Sequence, residues 1–129
     1  MYSSIKQVLE FHKLAKSSLV ETPTVNISLE TKALRVRLIR EETDELIEAI
    51  EQKSLREVAK ELADVLYVVL GTVIAFGLHS VFGKVFTAVH NSNLSKFSKD
   101  KNSNSTTYQG KVLKGKHFKP ADLSFLPEE

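Results

Sequence analysis

Glu41, Glu42, Asp44 and Glu45 place four carboxylates in five consecutive positions, and Glu61 and Asp64 follow after fifteen intervening residues. Side chains three apart share a helix face, so Glu42 pairs with Glu45 and Glu61 with Asp64. Two consecutive helices packed antiparallel through a short loop bring the two pairs opposite one another. Neighbouring Leu38, Ile39, Leu46, Leu62 and Val65 keep these acids off the fully solvated side. Four carboxylates in one cleft repel unless they are protonated or bind cations. An all-oxygen donor set suits a hard ion, so the expected metal is Mg²⁺ or Mn²⁺ rather than zinc. Asp44, Glu48 and Glu51 belong instead to a solvated face, with Lys53 and Arg56 nearby. A di-iron carboxylate bundle is excluded, because it uses Glu-x-x-His pairs and no histidine here stands three residues after a glutamate.

Four helices are expected to position these residues. Ile5, Val8, Leu9, Phe11, Leu14 and Ala15 form a rough stripe over residues 4–18, interrupted by the segment around Pro23. A second helix over 30–52 carries Leu34, Leu38, Ile39, Leu46 and Ile50. Ser54 and Glu57 form a capping box that starts a third, running to Phe76 and stopping at Gly77. A fourth, over 80–97, is expected to turn Phe82, Val85, Phe86 and Val89 inward. Beyond residue 98 a polar, low-complexity stretch (99–107) precedes a Gly-flanked segment, Gly110 to Gly115. Phe118, Leu123, Phe125 and Leu126 then fold the tail back onto the body. The fold class is all-α: one domain over 1–129, a four-helix bundle with an irregular basic tail over 98–129.

The 129 residues carry a net charge of only +2, but the charge is segregated. Residues 41–64 hold nine acids and three bases, whereas residues 96–119 hold seven lysines and one aspartate. An acidic block and a basic block suit a shared ligand that carries both metal and phosphate. There is no cysteine, hence no disulfide and no thiolate metal site. The first residues lack a signal-peptide pattern, and a cytoplasmic location is expected. The apolar run 65–76 is shorter than the roughly 20 residues a membrane span needs. Being apolar nearly all round, it calls for burial on every side, and three partner helices of modest length leave part of it bare. A homo-oligomer, dimer or tetramer, is therefore expected to complete the bundle.

The pattern Glu41-Glu-x-x-Glu45 with Glu61-x-x-Asp64 resembles the signature of the all-α nucleoside triphosphate pyrophosphohydrolases. These comprise the MazG proteins, dimeric dUTPases, dCTP pyrophosphatases and phosphoribosyl-ATP pyrophosphohydrolases. The segments Leu62–Thr72, Val89–Lys96 and Gly110–Gly115 are similar to short, single-domain MazG-like members, and the resemblance covers about residues 5–126. It implies Mg²⁺-dependent cleavage of a nucleoside triphosphate into the monophosphate and pyrophosphate, with Glu42, Glu45, Glu61 and Asp64 as metal ligands. Glu41 is the surplus acid, a candidate to complete a further metal position or to orient and deprotonate the attacking water; its turn of about 100° from Glu42 equally suits a supporting role behind the ligands. Asn93, Lys96, Lys111 and Lys114 become candidates for the phosphate chain, and Tyr67, Phe11 or His12 for stacking on a base. Asn91 departs from the basic residue expected there, and the Ser/Asn-rich insertion near 102–107 is a second departure.

Two other functions compete. Phosphoribosyl-ATP hydrolysis ranks lower, because the Val89–Lys96 and Gly110–Gly115 segments look like the MazG-like branch. A non-catalytic nucleic-acid or partner-binding bundle ranks lower still. The basic residues are interleaved with aromatics only at Tyr108 and Phe118, and no nucleic-acid motif is present.

Overall fold

The computed structural model describes residues 2–52, 54–97 and 107–129. Lys53 and the polar stretch with Lys99 and Lys101 lie outside the described residues. Among the described residues four helices make the fold all-α, apart from a hairpin of two two-residue strands. The backbone divides into two compact units, residues 1–80 with Glu129, and residues 81–128.

The first unit holds α1 (Tyr2–Leu14), α2 (Leu29–Gln52) and α3 (Leu55–Ala75). α1 stops four residues earlier than its apolar stripe suggests. Lys16 takes a left-handed conformation (φ 55°), and Ser17 N–H donates to the His12 carbonyl. Together with the Lys16 N–H bond to Lys13, this closes the helix with the motif normally built on glycine. A side chain strains that conformation, so Lys16→Gly should stabilise the protein by about 0.5–1 kcal/mol. Chemical denaturation checks it, and a loss of stability would contradict the assignment.

α3 begins as expected: Ser54 accepts a hydrogen bond from Glu57 N–H at 3.4 Å. It also ends as expected, at Gly77, whose φ of 68° suits glycine. A Cβ there would collide with the Thr22 carbonyl, so the α1–α2 connection crosses directly over this turn. Thr24 N–H donates to the Phe76 carbonyl at 3.1 Å and fastens the same crossing.

α2 and α3 run antiparallel. Arg35, early in α2, bonds to Val68 and Thr72, whereas the later Glu42 and Glu45 meet Glu61. The buried core is made by Ile5 and Val8 of α1, Ala49 of α2, and Leu70, Val73 and Ile74 of α3. Full burial of each larger side chain contributes roughly 1.5–3 kcal/mol. Burial of the apolar run is one-sided within the chain. Gly71 is enclosed with these residues, but Leu66 and Tyr67 are each 41% exposed.

The second unit holds α4 (Phe82–Leu94), β1 (Thr107–Tyr108) and β2 (Lys111–Val112). α4 is shorter than the expected 80–97. From Ser95 to Phe97 the amides bond three residues back, tightening the chain out of the α-helix. Phe82 and Val85 are half-buried as expected, but Phe86 and Val89 are exposed. The expectation that all four point inward is corrected. The strands pair antiparallel through Gln109 and Gly110, both with positive φ, the geometry of a tight two-residue hairpin turn. The tail then returns to α4: Lys119 N–H donates to Ser95 Oγ at 2.8 Å, and Ser92 Oγ donates to the Lys119 carbonyl at 2.7 Å. Gly115 lies against the Lys96 carbonyl, where a Cβ would collide. No helix is long and apolar enough to cross a membrane among the described residues.

Candidate metal centre

Glu42 and Glu45 lie one turn apart on α2, and the antiparallel pairing sets Glu61 of α3 opposite them. One oxygen from each of the three falls within 4.8 Å of the others. One oxygen of Glu42 and one of Glu61 are buried and have no hydrogen-bond partner. Buried carboxylate oxygens without donors are unfavourable, and a bound cation removes the deficit. The donor set is oxygen throughout, so these residues fit a hard divalent ion.

The electrostatics agree. The Glu42 carboxyl is pushed above the ordinary carboxylate value, first by burial and then by the charge of Glu45, with Asp64 and Glu61 adding to it. A proton on Glu42 relieves in part what a cation would relieve in full.

Asp64 contributes to that field, but its own carboxylate is engaged by Lys60, whose Nζ lies 2.8 Å from Asp64 and 3.4 Å from Glu61. The hydrogen bond that Lys60 donates to Asp64, followed by the charges of Asp64 and Glu61, holds the Lys60 ammonium above its ordinary value. Lys60 is a residue that the sequence reading passed over. Its signal was the i,i+4 spacing to Asp64, the commonest ion-pair geometry on a helix.

Glu41 is not brought into this group. It faces Arg37, one turn back on α2, at 4.0 Å, in a shallow groove with Lys32, Arg40 and Asp44. Tyr67, one turn beyond Asp64, packs edge-to-face on Phe11 with ring centres 5.7 Å apart. In the second unit Asn93 and Lys111 are exposed, and Lys96 is half-buried. Lys114 holds its ammonium 4.8 Å above the Phe118 ring, a cation–π contact. None of these four residues lines the groove of about 650 Å³ along α4, which is bordered by Lys84, Asn91, Ser92, Lys119 and Phe125.

Comparison with known proteins places this geometry in context. An uncharacterized protein of Acanthamoeba polyphaga mimivirus is 30% identical over 79 residues, 61% of this chain. The chain spans about a third of that relative, 32% of its length. A family model described as phosphoribosyl-ATP pyrophosphohydrolase matches residues 8–93, which includes all five acids of the two motifs. With helices, acid pairs and family match in agreement, the chain belongs to the phosphoribosyl-ATP pyrophosphohydrolase family, a family of enzymes that hydrolyse phosphoric anhydrides.

Proposed function

We propose that the chain is a Mg²⁺-dependent nucleoside triphosphate pyrophosphohydrolase that releases the monophosphate and pyrophosphate, a role in nucleotide-pool housekeeping. The observation that carries this reading is the convergence of Glu42, Glu45 and Glu61 with two buried oxygens unpartnered. Glu42, Glu45, Glu61 and Asp64 would hold the ion, with Asp64 released from Lys60. When bound, Mg²⁺ neutralises phosphate charge and withdraws electrons from the bond being cleaved. In the reaction a water oxygen joins phosphorus, the bridging P–O bond breaks, and the water's proton passes to a base. Glu41, turned about 100° from Glu42 on the helix, would have to swing away from Arg37 to orient that water and take its proton. Asn93, Lys96, Lys111 and Lys114 would hold the phosphate chain, and Tyr67 the base.

A second reading is phosphoribosyl-ATP hydrolysis, favoured by the description of the matching family. Purified protein incubated with Mg²⁺ and each nucleoside triphosphate, and with phosphoribosyl-ATP, separates the two by the pyrophosphate released. Release from phosphoribosyl-ATP alone would replace the first reading with the second.

The same proposal includes a homo-oligomer, dimer or tetramer. Ile47 and Ile50 of α2 and Leu62 and Leu66 of α3 are all exposed in the single chain, an unusual apolar load for two adjacent helices. Sedimentation at micromolar concentration should show a species heavier than 14.5 kDa. A monomer alone would refute it.

A further inference from the structure

Arg35 is the buried charged residue of the core, only 7% exposed. Its Nε donates to Thr72 Oγ1 at 3.2 Å and its Nη2 to the Val68 carbonyl at 3.1 Å. No carboxylate among the described residues forms an ion pair with it. A guanidinium has five N–H donors, and Nη1 has no protein partner among the described residues. A buried charge left unpaired is unfavourable for the fold, and apolar residues of similar volume do as well or better in such places. Burial lowers the Arg35 pKa somewhat, yet guanidinium stays charged.

Three features surround this cation. Gly71 of α3 leaves the space: a Cβ there would stand 2.6 Å from Arg35 Nη2 and 3.0 Å from His12 Nε2. Burial and the Arg35 charge push the His12 pKa below its ordinary value, so the guanidinium disfavours a second positive charge beside it. Phe11, the chain neighbour of His12, and Tyr67, the chain neighbour of Val68, form an edge-to-face pair and remain 55% and 41% exposed. An open aromatic pair beside an under-used donor group is a platform for a flat, polar ring.

The distance to the acids suits a nucleotide. Arg35 precedes Glu42 by seven residues, which puts both on one face of α2 about 10 Å apart along the axis. That is comparable with the reach of a sugar and its base from the phosphate held at the acids.

We propose that Arg35, with Phe11 and Tyr67, forms a base-reading subsite that selects nucleotides whose base presents an oxo acceptor to the guanidinium. The inference rests on the nucleotide hydrolysis proposed above and names its substrate class. A 6-oxopurine offers O6 and N7 as two adjacent acceptors, which a guanidinium takes bidentately, and a 4-oxopyrimidine offers O4. A 6-aminopurine or 4-aminopyrimidine puts an N–H₂ donor at the same place, facing another donor. Discrimination for one such pair is roughly tenfold or more.

The test compares GTP and ITP with ATP, and UTP with CTP, as substrates of the full chain with Mg²⁺. In parallel, GMP and AMP are titrated by calorimetry without metal. At least tenfold higher kcat/KM is expected for each oxo-base, and tighter binding of GMP than of AMP. Arg35→Met should lower the oxo-base values at least tenfold while leaving ATP and CTP within about threefold. Arg35→Lys, which keeps the charge but not the planar fork, should lose most of the discrimination too. Equal loss for all nucleotides in the variants would make Arg35 only a strap between α2 and α3, and overturn the proposal. So would a wild-type preference for amino-bases, which decides the matter even if Arg35→Met fails to fold. Hydrolysis without oxo preference would sink this inference and leave the reaction standing. Arg35-dependent GMP binding without hydrolysis would do the reverse.

Discussion

On the proposed reaction, Glu45→Gln and Glu61→Gln should each lower Mg²⁺-dependent pyrophosphate release by roughly a thousandfold or more, because a bound ion would contribute several kcal/mol of transition-state stabilisation and each carboxylate would help to hold it. The fold should survive, since neither side chain belongs to the buried core. Metal-free Glu45→Gln should be more stable than the wild type by at least a few tenths of a kcal/mol, because it removes a repelling charge beside Glu42. Asp64→Asn should abolish activity without that gain, since it also breaks the Lys60 pair. Acidification gives an independent readout. Glu42 has a raised folded-state pKa, so the folded chain binds the proton more tightly than the unfolded one. Metal-free protein should therefore gain stability from Glu42 as pH falls from its raised value towards the ordinary carboxylate value of 4.5, and the gain should shrink when Mg²⁺ is present. Thermal scans with and without metal measure both effects. Full activity in Glu45→Gln and Asp64→Asn would remove the metal assignment.

Replacing Lys96, Lys111 or Lys114 by alanine is the next largest expected effect. Negative charge on the phosphates grows as the anhydride breaks, so a lysine in contact with them matters more in the transition state than in the ground state. Loss of one charge-assisted contact costs roughly 1.5–3 kcal/mol, or about one to two decades in rate. The same substitution at Lys99 or Lys101 should change little, and these two positions serve as internal controls. Nucleotide with Mg²⁺ should also protect residues 108–118 from proteolysis, whereas Mg²⁺ alone should not. Lys114 requires one extra control because its ammonium already rests on Phe118. Phe118→Leu frees it from the ring, and a phosphate-binding lysine should then remain active. Equal, small effects at all five lysines would reduce the basic block to a solvated tail.

The acid cluster was legible in the sequence because its information is local. Spacing of three places Glu42 with Glu45, and a capping box at Ser54 sets where α3 begins, so the short loop brings Glu61 opposite. Gly77 was legible for a similar reason, since only glycine meets both its φ and the approach of Thr22. The end of α1 was not, because Lys16 fills a position whose usual marker is glycine. The inward face of α4 was also misjudged at Phe86 and Val89: periodicity reveals an apolar stripe but not what covers it. Arg35 left no signal at all. An arginine between Lys32 and Arg37 on a charged helix reads as surface, and its burial depends on Gly71, thirty-six residues away, being too small to exclude it. The Gly110–Gly115 segment reads as a short extended turn element, but Gln109 hid where the turn begins, since glutamine rarely advertises a positive φ.

Lys60 turns the acid cluster into an ion exchanger. Its ammonium already rests on Asp64 and Glu61, so a divalent ion bound as proposed would arrive by displacing a tethered monovalent one rather than by filling bare space. The displaced side chain is 68% exposed and loses little on swinging into solvent. Added salt screens the carboxylates from the incoming ion and from the resident ammonium alike. The two effects oppose each other, so occupancy should fall less steeply with ionic strength than for four uncompensated acids. The tethered cation thus buffers the site against changes in its ionic surroundings.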